Sequence, residues 1–518
     1  MPPSTNGQSS SSSIPLASLL VARFLRSNNY AATLDTFIRE AGLPPDAGGT
    51  RTDTTTGDRS SAEYDDWTLE GVIQEKKTFD QSLRFERYGD DDGSARREGW
   101  SVPAPSKPTI VDTPSSSNLL SVSVEPWQQQ QDDIETVDNK KYLVATAADK
   151  TLNLFDVGPS NRVVASLSGL SDSPILSYVS IRGGRYHLAT SMSGQLLLIK
   201  NAEVLDWRKD HSKYAVKVVA YENEDADEEG RVWIVTAGWD AKVLIYRMTL
   251  SSSSPTIGEP VSTIKLPTNP ESILIVRNPE SRELTLLVSR RDSTYLYYYA
   301  LEPLRARTAT TTTADGESQR QPRECVLRGK QNLAPHSNAW IAFSPSCMAL
   351  SPHDPGLLAV ALSTLPHMKV MIVRLLFPSS DSVENTTTTA TAATAAATAE
   401  PSSETHLSQA MAALALQNRE DAAIVIQANT FAPQTAYSTP QVVWRPDGSG
   451  LWVNGDDGVI RGIEAKTGKV VAMLKEGHEA GSKVRSIWAG LVSSEEDDKK
   501  EEWVVSGGFD KRLVVWKV

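Results

Sequence analysis

The chain has 518 residues, a formal net charge of −12 and 22% charged residues. An acidic balance of this size argues against a phosphate backbone as partner, because nonspecific nucleic-acid binding is a Coulombic attraction to Lys and Arg. Two cysteines, Cys325 and Cys347, make neither a disulfide framework nor a four-ligand zinc site, and as ordinary buried thiols they suit an intracellular setting, cytoplasm or nucleus.

Residues 1–13 form a Ser-rich tail with nothing to pack and are expected to be disordered. The apolar run IPLASLLVARFL that follows is too short to span a bilayer and contains Arg23, so neither a membrane anchor nor a signal peptide is expected. Leu20, Val21, Phe24 and Leu25 fall at helical spacing, Ser27-Asn28-Asn29 turns the chain, and Tyr30, Thr33, Leu34 and Phe37 repeat the spacing until Gly42 and Pro44-Pro45 end it. Asn29 tolerates the left-handed backbone such a turn requires. Two short helices of roughly 25 residues in all cannot bury enough surface to stand alone, and self-association is the usual remedy. A Gly/Thr/Asp/Ser linker is expected over 46–62, then a helical connector over 63–88 with Leu69, Val72, Ile73, Phe79 and Leu83 near one face, then a polar, Pro-containing linker over 89–108.

The stretch LVARFLRSNNYAATLDTFIRE, residues 20–40, resembles the LisH (lissencephaly-type homology) motif. The resemblance places that motif at 14–45 and implies homodimerisation through Leu20, Val21, Phe24, Leu25, Tyr30, Thr33, Leu34, Phe37 and Glu40. Phe24 stands where the family has its first aromatic, Asn29 at its Gly and Leu34 at its small Ala.

From residue 109 the chain repeats a strand–turn–strand unit: YLVATAADKTLNLFDV, HLATSMSGQLLLIK, VWIVTAGWDAKVLIYRM, LTLLVSRRDSTYLYYYAL, LLAVALSTLPHMKVMIVRLL, LWVNGDDGVIRGIEA and WVVSGGFDKRLVVWKV. β-branched and aromatic residues fill the runs, Gly and Asp fill the turns, and a further short strand precedes each unit. No outer strand follows the last unit, whereas Thr109, Ile110 and Val111 precede the first with no pairing of their own, so these three are expected to complete the seventh unit and close a ring.

This pattern resembles the WD-repeat β-propeller family, and the expected fold is an all-β, seven-bladed propeller over 109–518 with a small α-helical LisH motif at the N-terminus. The seventh blade carries Gly477-His478, Ser506, Asp510 and Trp516, and the third has His211, Thr236, Asp240 and Tyr246 at the same offsets. In that family these residues form a hydrogen-bonded chain from turn Asp through His to Ser or Thr and the aromatic ring. The first blade keeps Asp149 and Phe155, the sixth Asp457, and the fifth none of the pattern. Acidic inserts such as ENEDADEEG and SSEEDDKKEE join first to second strands and should hang from one face as solvated loops, together with disordered inserts near 307–322 and 378–405; THLSQAMAALALQ has helical spacing.

No chemistry stands out. The histidines at 187, 211, 336, 353, 367, 406 and 478 have no metal-ligand spacing, and GIEAKTGKV lacks the phosphate-loop spacing and reads as a hairpin turn. No catalytic residue, metal or cofactor is expected. The layout implies a non-catalytic scaffold that binds other proteins within a larger complex; a ubiquitin-ligase substrate receptor and an enzyme using the propeller channel are the alternatives.

Overall fold

The computed structural model describes residues 16–47, 68–70, 99–128, 140–222, 231–250, 255–301, 323–335, 343–378, 406–493 and 500–518. The chain divides into two compact units, Met1–Arg96 and Arg97–Val518. Among the described residues no helix is long and apolar enough to cross a membrane.

The described residues of the first unit include a helix pair, α1 (Leu16–Ser27) and α2 (Ala31–Glu40). Asn29 takes φ 63° between them, as its short polar side chain allows. Ala22 is fully buried, and its small side chain makes room for Leu34, the buried residue of α2. Leu43 and Ala47 complete this cluster, with Leu25, Phe37 and Ile38 at its edge. The sequence places a linker from residue 46, but the Arg26 guanidinium donates to the carbonyls of Pro45 (3.2 Å) and Ala47 (3.0 Å) and holds the tail against the pair. The expected connector helix lies outside the described residues except for 68–70, where Glu70 accepts from Asn28 Nδ2 at 3.4 Å.

The second unit is a seven-bladed propeller, mostly strand. The innermost strands of blades 1 to 7 are Leu119–Pro126, Ile175–Ile181, Ala215–Glu222, Pro270–Arg277, Pro345–Leu350, Val442–Trp444 and Val484–Ser493, and each touches the next around a closed circle back to the first. Within a blade the strands pair antiparallel in chain order. Burial follows radius. The second strands of blades 2 and 5, Tyr186–Ser191 and Leu357–Leu362, are buried at every position, because both faces are covered by neighbouring blades; the outer strand Glu203–Arg208 of blade 2 alternates exposed and half-buried residues. Continuous apolar runs inside and alternation outside are what that geometry demands.

Six innermost strands shift register near their start, as between Val484 and Ser486. Two of the serines that follow tie blades together: Ser486 Oγ accepts from Val122 N–H (3.2 Å) and Ser177 Oγ from Val218 N–H (3.3 Å). The ring closes where Lys107–Val111 lies antiparallel on Leu513–Lys517, with Thr109 opposite Val515.

That strand begins two residues before the point expected from sequence, and the expected linker over 89–108 is corrected further upstream. The Trp100 ring packs edge-on against Trp452 at 5.0 Å, the Trp100 backbone N–H donates to the Glu464 carboxylate (2.9 Å), and Ser106 N–H donates to the Lys517 carbonyl (2.8 Å), so Gly99–Ser106 is part of the propeller. Two strands were not anticipated: Glu203–Arg208, and Arg323–Glu324, which runs parallel to the outer strand Ser262–Lys265 of blade 3. The inserts near 307–322 and 379–405 lie outside the described residues. Helix α3 (His406–Ala423) runs directly into the outer strand Ile424–Pro433, anchored by buried Glu420, which accepts from Asn332 N–H at 2.7 Å. Segment 460–474 is a hairpin, Ile460–Glu464 paired with Val470–Leu474.

Candidate functional site

The sequence-selected polar residues of blade 7 come together as one chain. His478 Nδ1 lies 3.0 Å from Asp510 Oδ2 with both side chains buried, and His478 Nε2 lies 2.8 Å from Ser506 Oγ, which accepts from Trp516 Nε1–H at 2.9 Å. A carboxylate can only accept, so the proton sits on Nδ1, Nε2 accepts from the serine hydroxyl, and the serine oxygen is free for the indole. Asp510 also accepts from the N–H groups of Glu479 and Arg512. Burial pushes the Asp510 carboxyl up, but the His478 hydrogen bond and the two backbone donors together hold it below 3.8. Such a fully satisfied network fixes a turn.

Asp510→Ala is expected to destabilise the propeller by about 1–3 kcal/mol, measured by thermal or denaturant unfolding. Because the folded carboxyl is depressed, its contribution is present above 3.8 and is lost as pH falls through the lower folded value. A neutral substitution would mean the turn is solvated.

Blade 3 repeats the first two links and changes the last. His211 Nδ1 is 2.9 Å from Asp240 and Nε2 is 2.9 Å from Thr236. Tyr246 donates its hydroxyl to Asp210 at 3.0 Å, since a phenol carries its donor at the far end of the ring and reaches a more distant acceptor, while a Thr236 hydrogen bond also bears on that hydroxyl. In blades 1 and 6 the turn aspartates find local partners, Asp149 accepting from Thr151 at 2.7 Å and Asp457 pairing with Arg461 at 2.6 Å.

These turns define a face. The first residue of the turn joining second to third strand donates its N–H to the carbonyl that enters the innermost strand of the same blade. The pairs are Ala148 to Asn118, Met192 to Pro174, Trp239 to Tyr214, Arg291 to Asn269, Ser363 to Ser344 and Phe509 to Lys483, all at 2.8–3.0 Å. The face is built of short turns and shows exposed rings: Trp239 (40%), Tyr214 (39%) and Phe509 (41%).

At the other ends of the strands Arg445, only 1% exposed, pairs with Glu502. Glu501 and Glu502, expected in the acidic insert SSEEDDKKEE, lie in the strand Lys500–Gly508, where Glu501 Oε1 accepts from Val518 N–H at 3.1 Å. His187 is stacked on Trp127 with centroids 3.5 Å apart and its Nδ1 3.0 Å from Ser180 Oγ. Burial drives its pKa to about 3, against a weaker upward pull from the Gly184 backbone, so the folded protein holds it neutral. Between 6.5 and about 3 the unfolded chain binds the extra proton, so this contribution is fully present above 6.5 and falls as pH drops. The expected slope is about 1.4 kcal/mol per pH unit, and His187→Phe, which keeps the stack, should flatten it in denaturant titrations run from neutral to mildly acidic pH. Parallel curves for the two proteins would contradict the assignment.

Both thiols are partly buried. Burial raises Cys325 to about 11 and raises Cys347 as well. Among the described residues no three His, Cys, Asp or Glu side chains are grouped as a metal site requires.

On the helix pair, Leu20 and Leu34 are buried, Val21, Phe24, Leu25 and Phe37 are half-buried, and Tyr30, Thr33 and Glu40 are exposed. The nine LisH-implied residues are thus divided between the pair's own core and its surface.

Comparison with known families agrees with this division into units. The model described as "UCP007778, beta-propeller domain" matches residues 132–311 and 337–517, and that described as "UCP007778, LisH domain" matches residues 17–45. No curated protein matches the chain.

Proposed function

This chain belongs to the UCP007778 β-propeller family, and we propose that it is a non-catalytic scaffold that dimerises through α1 and α2 and holds partner proteins on its propeller, as a subunit of a multiprotein complex. A LisH motif joined to a propeller is a protein-interaction layout. The observation that carries the dimer is Tyr30: its ring is 53% exposed at the elbow of the pair, 6.3 Å from the Phe24 ring, on a helix pair whose core among the described residues is Ala22, Leu34, Leu43 and Ala47. Apolar surface on so small a unit favours burial against a second copy. Joining two propellers raises the effective concentration of the second binding event, so weak contacts add up to stable capture when both faces can engage. An intracellular setting, cytoplasm or nucleus, fits two unpaired thiols.

Affinity capture followed by mass spectrometry, on the full chain and on Tyr30→Ala, tests this reading. Tyr30→Ala is expected to halve the solution mass while leaving the β-sheet circular-dichroism signal unchanged, and to weaken capture of partners that need two propellers. Phe37→Ala should also dissociate the dimer, but it removes a contact of the pair's own core, so Tyr30→Ala is the cleaner variant. An unchanged mass would place the dimer seam elsewhere, and a wild-type chain that captures no protein would overturn the scaffold.

A further inference from the structure

Four consecutive blades present apolar side chains at one equivalent position of the short-turn face. Phe509 in blade 7, Ala148 in blade 1, Met192 in blade 2 and Trp239 in blade 3 each follow the second strand and donate to the carbonyl entering the innermost strand. In blade 4 the position passes to Arg291, which pairs with Glu271 at 2.7 Å, and the apolar arc ends. At that end the Trp239 and Tyr214 rings lie 5.2 Å apart, inclined at 31° and both open to solvent. Large rings on a rim of short turns mark a contact surface, since a solitary chain gains nothing by leaving them wet.

The arc also carries cations with no ion-pair partner among the described residues. Its turn carboxylates are already engaged: Asp149 by Thr151, Asp172 by Ser193 at 2.6 Å, Asp240 and Asp510 by the two histidines. Lys150, Lys213, Lys217 and Lys511 are exposed, and none has a carboxylate within ion-pair distance among the described residues. Arg485 is the sharpest case. It follows Val484 at the register shift of the blade 7 inner strand, two residues from Lys483, whose carbonyl receives the Phe509 N–H. It is half-buried and donates to the Thr439 hydroxyl, with no carboxylate in ion-pair reach among the described residues. Burial lowers its pKa, which marks a guanidinium short of compensation. A cation placed so gains from an incoming anion more than an exposed lysine does.

We propose that the arc from blade 7 to blade 3 binds an acidic linear peptide of a partner protein, with an aromatic or aliphatic side chain laid on the exposed rings and a carboxylate received by Arg485. This rests on reading the propeller as a protein-interaction module. Aromatic faces give the contact area, and the cations give orientation and steering.

The test is selection of a displayed random-peptide library on the full chain, followed by fluorescence anisotropy with the enriched peptide after labelling. Enrichment of Glu or Asp beside Phe, Tyr or Leu is expected, with affinity falling as salt rises and weakened about tenfold by Trp239→Ala or Arg485→Gln. Trp239→Ala and Lys217→Glu change surface side chains and carry the test should Arg485→Gln lower the melting temperature. Enrichment of Lys and Arg, no enrichment, displacement of the peptide by a single-stranded oligonucleotide, or binding indifferent to all three substitutions would overturn the inference. Partners captured by wild type and retained by every variant would sink this site while leaving the scaffold intact; only a chain that captures no partner counts against the scaffold itself.

Discussion

Replacing Glu502 with alanine is expected to cost about 3–5 kcal/mol, the largest single effect in the propeller, because it takes the close carboxylate from a buried guanidinium and leaves it the more distant, exposed Asp447 at 3.9 Å. Arg445 is 1% exposed and meets Glu502 in a forked pair, Nη2 to Oε2 at 2.6 Å and Nε to Oε1 at 3.0 Å. Its remaining nitrogen donates to Ser101 O and Ser449 Oγ at 2.9 Å each, and its guanidinium lies 4.3 Å from the centre of the Trp100 ring. One ion pair thus ties blade 6, blade 7 and the segment entering the ring. A double variant, Arg445→Met with Glu502→Leu, should cost much less than either single truncation, since it removes the charge together with its partner. Thermal unfolding of the set measures this. A Glu502→Ala protein within about 1 kcal/mol of wild type would show that water reaches Arg445.

Trp100→Ala should destabilise by about 3 kcal/mol and loosen the seam between blades 6 and 7. Two glycines are shaped to this ring: a Cβ on Gly450 would come within 2.5 Å of its six-membered edge, and one on Gly462 within 2.5 Å of its far corner. Gly462→Ala should therefore be harmful in the wild-type chain and milder in the Trp100→Ala background, although Trp452 at 2.9 Å also crowds that position. Simple additivity of the two substitutions would mean that the ring and the glycines are not packed together.

The ring itself was legible in the sequence. Its second and third strands are buried on both faces and so must be continuous β-branched and aromatic runs, as in WVVSG and LVVWKV, and the turn residue Asp510 with its distant partner His478 follows a spacing that only a repeated blade explains. The outer strand EVLDWR was missed because an edge exposed to water has no reason to be apolar throughout, and its alternation is weak over a short span. Gly99–Ser106 looked like a linker because its composition is polar and Pro-containing, whereas what fixes it is one indole and backbone bonds to residues hundreds of positions away. Glu502 looked like loop charge for the same reason, its partner being 57 residues distant. The candidate binding arc had no sequence signature at all. It is assembled from single residues of separate blades, and only the hydrogen bonds of the turns show that Phe509 and Trp239 hold the same place.

The measurement that bears most directly on a dimeric scaffold is the light-scattering mass of the full chain in solution. A dimer gives twice the chain mass of 56.4 kDa, falling to a single chain mass in Tyr30→Ala. A wild-type protein that elutes at one chain mass at every concentration would contradict it.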